Sequence, residues 1–312
     1  MSPLEALQPP GEPLLRDPRD ERIPWGPGEG PVVSLVGVPW DWSAAGVPGA
    51  RLAPAKIRGY LRALRPHAPG VGSDFPCRIV DLGDVRVAPG DYEATRPRIV
   101  EAARAAYEAG SIAAFLGGDH SISRWTVEPL ASGGEALALL VLDAHYDMRS
   151  VSEGLTSGSW LWDLLRSHPS TVRVAVVGVA DYSNPPYLWE RAREAGALVV
   201  PRASLLDGLE PALEAIDTIA SEAGVGYISI DMDHLDQSCA PGVNSPTPLG
   251  LTPPESLAIL RHAARRLKPR GVDVAEVTPT VDVGDATSRL AARLLAYTLH
   301  WACEASGVMR GA

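Results

Sequence analysis

Three segments of the 312-residue chain hold side chains that can do chemistry as a group. Asp143, His145 and Asp147 are spaced two apart, and so are Asp231 and Asp233. In extended chain, residues two apart point to the same side. Carboxylates facing one way repel unless a cation sits between them. His120 adds an imidazole from Gly117-Gly118-Asp119-His120-Ser121, and Glu276 adds an acid from a fourth segment. Four aspartates and two histidines give hard oxygen donors plus imidazole. That set suits Mn²⁺ and also accommodates Fe²⁺, Co²⁺, Ni²⁺ or Zn²⁺. With some carboxylates bridging, six side chains can serve two metals ~3.5–4 Å apart. Asp119 reads as the supporting partner of a ligand histidine. His234 lies on the opposite parity from Asp231 and Asp233 and falls outside the set, and His67, His168 and His300 lie away from any acidic cluster.

The elements that must position these residues alternate. Apolar runs predict strands at 32–38, 78–81, 112–116, 136–142, 172–177, 198–200, 227–230 and 272–275. Between and after them, helices are expected at 54–64, 96–108, 123–130, 159–167, 186–195, 209–223, 254–267 and 287–304. Such alternation predicts one three-layer α/β/α sandwich around a central, mostly parallel sheet. Open parallel sheets carry their sites at the carboxyl ends of the strands. The strands at 112–116, 136–142, 227–230 and 272–275 run directly into His120, Asp143, Asp231 and Glu276. A lone aspartate at a strand end is ordinarily a helix cap, but that reading has to hold at several ends at once.

Composition narrows the rest. An apolar fraction of 46% with 21% charged residues excludes disorder over the whole chain. No apolar stretch approaches the ~20 residues of a membrane helix, and the acidic, proline-rich start does not read as a signal peptide. A net charge of −10 argues against a nucleic-acid groove and for solubility. Cys77, Cys239 and Cys303 form no disulfide framework or zinc spacing, so a reducing cytoplasm is expected. Eight prolines within residues 1–31 predict an N-terminal arm, either a free tail or a strap across a neighbouring subunit, ahead of a single domain at 32–312.

Taken together, Gly117-Gly118-Asp119-His120-Ser121, Asp143-Ala144-His145-Tyr146-Asp147 and Ser229-Ile230-Asp231-Met232-Asp233 with Pro241-Gly242 resemble the ureohydrolase family of arginases, agmatinases and formimidoylglutamases. Gly49-Ala50-Arg51, Asp81-Leu82-Gly83-Asp84 and Glu276 with Pro279 resemble its other landmarks, and the likeness spans roughly residues 32–304. It implies a dinuclear manganese hydrolase with two Mn²⁺ per chain. One ion would take His120, Asp143, Asp147 and Asp231, and the other Asp143, His145, Asp231 and Asp233. A water acidified between the metals would attack a C=N carbon, with Asp147 orienting it and shuttling a proton. Glu276 would hold the amidinium-type N–H groups of the substrate. The resemblance also implies a homo-oligomer, trimer or hexamer.

Within the family the motifs divide. Arginases and agmatinases carry a histidine shortly after the Asp-Ala-His segment, where this chain reads Thr156-Ser157-Gly158-Ser159-Trp160-Leu161-Trp162. Asp147-Met148-Arg149, Tyr182-Ser183-Asn184 and Ala240–Pro246 resemble formimidoylglutamases, whereas Val38-Pro39-Trp40-Asp41 and Leu235-Asp236 look closer to agmatinases. The favoured substrate is N-formimidoyl-L-glutamate, with a guanidino acid or agmatine as the alternative and a non-catalytic metal-binding scaffold as a third reading. A substrate with two carboxylates needs anchors. Arg149 is the first candidate, Arg51 a weaker one, and Tyr182 and Asn184 can add hydrogen bonds.

Overall fold

The structure is a computed structural model that describes residues 21–152 and 154–306. Ten strands occur among them: β1 Val32–Gly37, β2 His67–Ala68, β3 Ser73–Asp74, β4 Arg78–Asp84, β5 Ile112–Leu116, β6 Leu137–Leu142, β7 Val172–Val179, β8 Leu198–Pro201, β9 Val225–Asp231 and β10 Pro269–Ala275. The helices are α1 Ala53–Ala63, α2 Tyr92–Ala109, α3 Ser123–Thr126, α4 Glu128–Ala131, α5 Trp160–Ser167, α6 Pro186–Glu194, α7 Glu210–Ser221, α8 Pro253–Leu267 and α9 Ala286–Ala305.

Eight strands form one sheet in the order β4-β1-β5-β10-β9-β6-β7-β8, and every neighbouring pair is parallel. The period of two explains why these runs are apolar throughout. In β6, Ala138, Leu140 and Leu142 join the core under α1, α7, α8 and α9, while Leu137, Leu139 and Val141 join the core under α2 and α5. A strand buried on both faces has no polar alternation. The α/β/α sandwich is thus the architecture, and β5, β10, β9 and β6 are four consecutive strands at its centre.

Local chemistry sets where the helices begin. α8 opens on a reciprocal capping box, with the Thr252 side chain receiving the Glu255 N–H and Glu255 receiving the Thr252 N–H. α2 starts four residues earlier than the apolar pattern predicts, because Asp91 caps it through the Ala94 N–H at 2.9 Å. The helix expected at 123–130 is two short ones, since Pro129 has no N–H to continue α3. The β2–β3 hairpin escaped the sequence pattern, being only two residues per strand.

Cys77 and Cys303 are joined by a disulfide across 226 residues, just before β4 and near the end of α9. This corrects the expectation of three unpaired thiols. With a pair formed, the cysteine count no longer argues for a reducing compartment. Cys239 is free. Of the N-terminal arm, residues 1–20 lie outside the described residues. The remainder rests on its own chain: Trp25 bridges Ile79 of β4, and Ile23 is buried. Among the described residues, no helix is long and apolar enough to cross a membrane.

Candidate metal centre

The carboxyl ends of the four central strands bring the chemical residues together. β5 leads to His120, β10 to Glu276, β9 to Asp231 and Asp233, and β6 to Asp143, His145 and Asp147. The chain can pass from β5 to His120 only because it is glycine there. A Cβ on Gly118 would lie 1.7 Å from the Trp40 carbonyl oxygen, and one on Gly117 2.7 Å from that of Val274. The two aspartate pairs are built alike. Asp143 Oδ1 accepts the His145 N–H at 2.7 Å, and Asp231 Oδ1 accepts the Asp233 N–H at 2.8 Å. Each turn spends one oxygen and leaves Oδ2 for the centre.

Those free oxygens converge. His120 Nδ1 lies 3.1 Å from Asp143 Oδ2, 3.0 Å from Asp147 Oδ2 and 3.0 Å from Asp231 Oδ2. One ring nitrogen cannot serve three acceptors, and none of the three is aligned for a hydrogen bond. Donor atoms of His120, Asp143, Asp147 and Asp231 all lie within 4.8 Å of one another, as do those of Asp143, His145 and Asp233. Ligand atoms around an ion at ~2.1 Å stand roughly 3–4 Å apart, so both groups fit a divalent cation with little movement. Asp143 is common to both groups, and Asp231 belongs to the first.

Protonation follows the crowding. Burial, then the Asp143 charge, lifts the Asp147 carboxyl to about 7. Burial and the Asp233 charge push Asp231 well above the usual carboxylate range, and burial with the nearby Asp119 does so for Glu276. Burial also works against Asp143, but His120 and His145 hold it below its ordinary value. His145 rises to about 12, chiefly through the Asp233 charge. Burial opposes the charge on His120, yet its three carboxylate neighbours raise it. Protons here do what a metal would do.

The His120 ring is oriented from behind. Its Nε2 hydrogen-bonds Ser229 Oγ at 2.9 Å, and Ser229 donates to Asp273 Oδ1 at 2.7 Å. Ser229 and Asp273 are paired across β9 and β10. Asp273 also accepts from Ser123 and Tyr227, each at 2.7 Å. This is the supporting role expected of Asp119 from its place beside His120. Asp119 instead accepts the Ser43 and Ser121 N–H groups and shapes the loop. The available signal was Ser229, two before Asp231 and on the same side. His234 stays out of the centre, buried against Ser256 at 2.8 Å.

A cavity of about 220 Å³ opens above the cluster, lined by Ala45, Gly46, Arg149, Ser157, Asn244 and Ser245 as well as the acids. Arg149 lines it, and its guanidinium pairs with no other described side chain. Asn184 also lines it, but its NH₂ already donates to the Ala144 and Ala180 carbonyls at 3.0 and 3.3 Å. Tyr182 does not reach the cavity. Its side chain is fully exposed beside a separate surface hollow. Arg51 is spent on Asp41 at 2.9 Å. Asn244 and Ser245 were passed over as site residues, although they lie in the segment 240–246 singled out for its resemblance. Asp147 and Glu276 both have positive φ, 51° and 64°. Such strain clusters at working sites.

Residues 32–300 match the sequence profile of the Arginase family. The chain belongs to the arginase family. Among its relatives, the formimidoylglutamase of Halobacterium salinarum is 33% identical over 305 residues, covering 92% of this chain and 96% of its own. The mitochondrial guanidino acid hydrolase of Homo sapiens is 32% identical, covering 86% and 77%. The crystal structure of formimidoylglutamase from Bacillus subtilis superposes with a TM-score of 0.87 at 28% identity, over 95% of this chain and 96% of that one. The family's fold therefore accounts for the central sheet.

Proposed function

We propose that this arginase-family protein hydrolyses a linear amidine, N-formimidoyl-L-glutamate, to L-glutamate and formamide, with two Mn²⁺ ions held by His120, Asp143, His145, Asp147, Asp231 and Asp233. The observation that carries the substrate is Arg149, a cation on the wall of the cavity above the acids with no ionic partner among the described residues. No acid outside the cluster and Glu276 lines that cavity among the described residues. An amino-acid substrate needs such a cation, and agmatine, with a cationic far end, needs the opposite. The names of the relatives support the same reading.

When bound, the two ions supply a water acidified enough to attack near neutral pH. The protein does the rest. Glu276 Oε2, buried and without a hydrogen-bond partner among the described residues, accepts the amidinium N–H groups and presents the formimidoyl carbon. Arg149 holds a carboxylate by paired N–H donors and fixes the other end. Asp147 takes the proton of the attacking water and returns it to the glutamate nitrogen as the carbon–nitrogen bond breaks. The expelled nitrogen leaves as the amine of glutamate, and the carbon keeps the water oxygen as formamide.

The guanidino-acid alternative has one observation in its favour, the identity to the human guanidino acid hydrolase. Such a substrate also ends in a carboxylate and would use Arg149. Incubating the Mn²⁺-loaded protein with N-formimidoyl-L-glutamate should release formamide, and chelation should stop it. Release of urea from a guanidino acid with no formamide from the amidine would overturn the assignment. The family resemblance further implies a trimer or hexamer, which light scattering would test.

A further inference from the structure

We propose that Trp160 is a positioning residue of the metal centre, acting through Asp147. This rests on the metal reading above, but not on the identity of the substrate. Trp160 is fully buried, and with Trp40 it is the largest such side chain among the described residues. Its indole Nε1–H donates to Asp147 Oδ2 at 2.7 Å. That is the same oxygen that faces His120 Nδ1 at 3.0 Å. The indole ring also packs on the His120 imidazole, with centroids 4.8 Å apart at 49°. One side chain thus touches two members of the first ligand group, Asp147 and His120.

The segment around Trp160 grips the backbone of Asp147 as well. The Leu161 and Trp162 N–H groups both donate to the Asp147 carbonyl at 3.2 Å. The turn before them is locked by Thr156 and Ser159, each accepting from the other. Asp147 has the positive φ that such a grip must maintain. A buried carboxylate has several acceptor directions. The indole fills one on Oδ2 and so aims another at the cation. Partners of this kind fix the geometry of a ligand before the ion arrives.

The test is Mn²⁺ binding, measured by electron paramagnetic resonance and calorimetry on wild type, Trp160→Phe, Asp147→Asn and the double variant. Trp160→Phe keeps a ring on His120 but loses the N–H. One ion should bind roughly 10–100-fold more weakly, with the other nearly unchanged. In the Asp147→Asn background the same substitution should add little, because the effect runs through Asp147. Equal weakening of both ions, or a full additive loss in the double variant, would overturn the proposal. Should Trp160→Phe not fold, wild type with ¹⁵N-labelled indoles answers directly. The indole signal that Mn²⁺ broadens must belong to a proton protected from exchange in the metal-free protein. If that proton exchanges like a free indole, the positioning role fails. Wild type that takes up no Mn²⁺ would instead sink the metal reading itself, and this inference with it.

Discussion

Glu276 Oε1 accepts the backbone N–H of His120 at 2.8 Å, while Oε2 of the same carboxylate is buried at the cavity wall with no hydrogen-bond partner among the described residues. One residue therefore braces a ligand loop with one oxygen and offers the other to the substrate. Glu276→Gln keeps a carbonyl oxygen for the His120 N–H but loses the charge. Metal content should be unchanged, while kcat/KM should fall by about 1.5–3 kcal/mol, the range for a hydrogen bond to a charged group. Loss of metal on this substitution would show that bracing, not substrate contact, is its main task.

The acids and histidines of the centre make the metal-free protein sensitive to pH. Asp147 titrates at about 7 when folded against 3.8 otherwise, and His145 at about 12 against 6.5. Between those pairs of values the folded state binds more protons than the unfolded one. Stability of the metal-free protein should then decline as pH rises, the Asp147 share by about 7 and the His145 share progressively above 6.5. Asp231 and Glu276, also raised, act in the same direction, and Asp143 is ionised throughout. Metal binding displaces these protons, so its benefit grows with pH. Thermal melts should give a lower metal-free Tm and a larger Mn²⁺-induced rise at about pH 8 than at about pH 6. An equal rise at both would contradict proton displacement.

Arg149 separates an anionic substrate from a cationic one. A guanidinium binds a carboxylate through two parallel hydrogen bonds that lysine cannot copy. Arg149→Lys should lower kcat/KM on N-formimidoyl-L-glutamate by about 1.5–3 kcal/mol, and Arg149→Met by at least as much. Metal content should not move, because Arg149 lies outside both ligand groups. Unimpaired hydrolysis by Arg149→Met would remove Arg149 as the anchor.

How much of this was legible in the sequence depended on how local each signal is. The eight sheet strands were readable as apolar runs, and the six proposed ligands as acids and histidines at strand ends. Both are properties of a few neighbouring residues. The strand order was not readable, since it depends on which crossovers pack on which face. Only that order puts β5, β10, β9 and β6 side by side. Partners distant in sequence were equally hidden. Ser229 and Asp273 behind His120 meet across two strands, Trp160 meets Asp147 through a turn, and Cys77 reaches Cys303 across 226 residues. Tyr182 lies away from the cavity. It has a φ of 63° and an exposed side chain, while Asn184 ties the loop to Ala144.

The most direct test of the proposed activity is competition. Mn²⁺-loaded protein, given equal concentrations of N-formimidoyl-L-glutamate, agmatine and 4-guanidinobutyrate, should release formamide in large excess over urea. Agmatine offers Arg149 a cation in place of a carboxylate, so the excess over urea from agmatine should be at least about tenfold in kcat/KM. Urea as the main product would contradict the assignment, and its source would identify the substrate: from 4-guanidinobutyrate, Arg149 holds the carboxylate of a guanidino acid; from agmatine, Arg149 is no anchor.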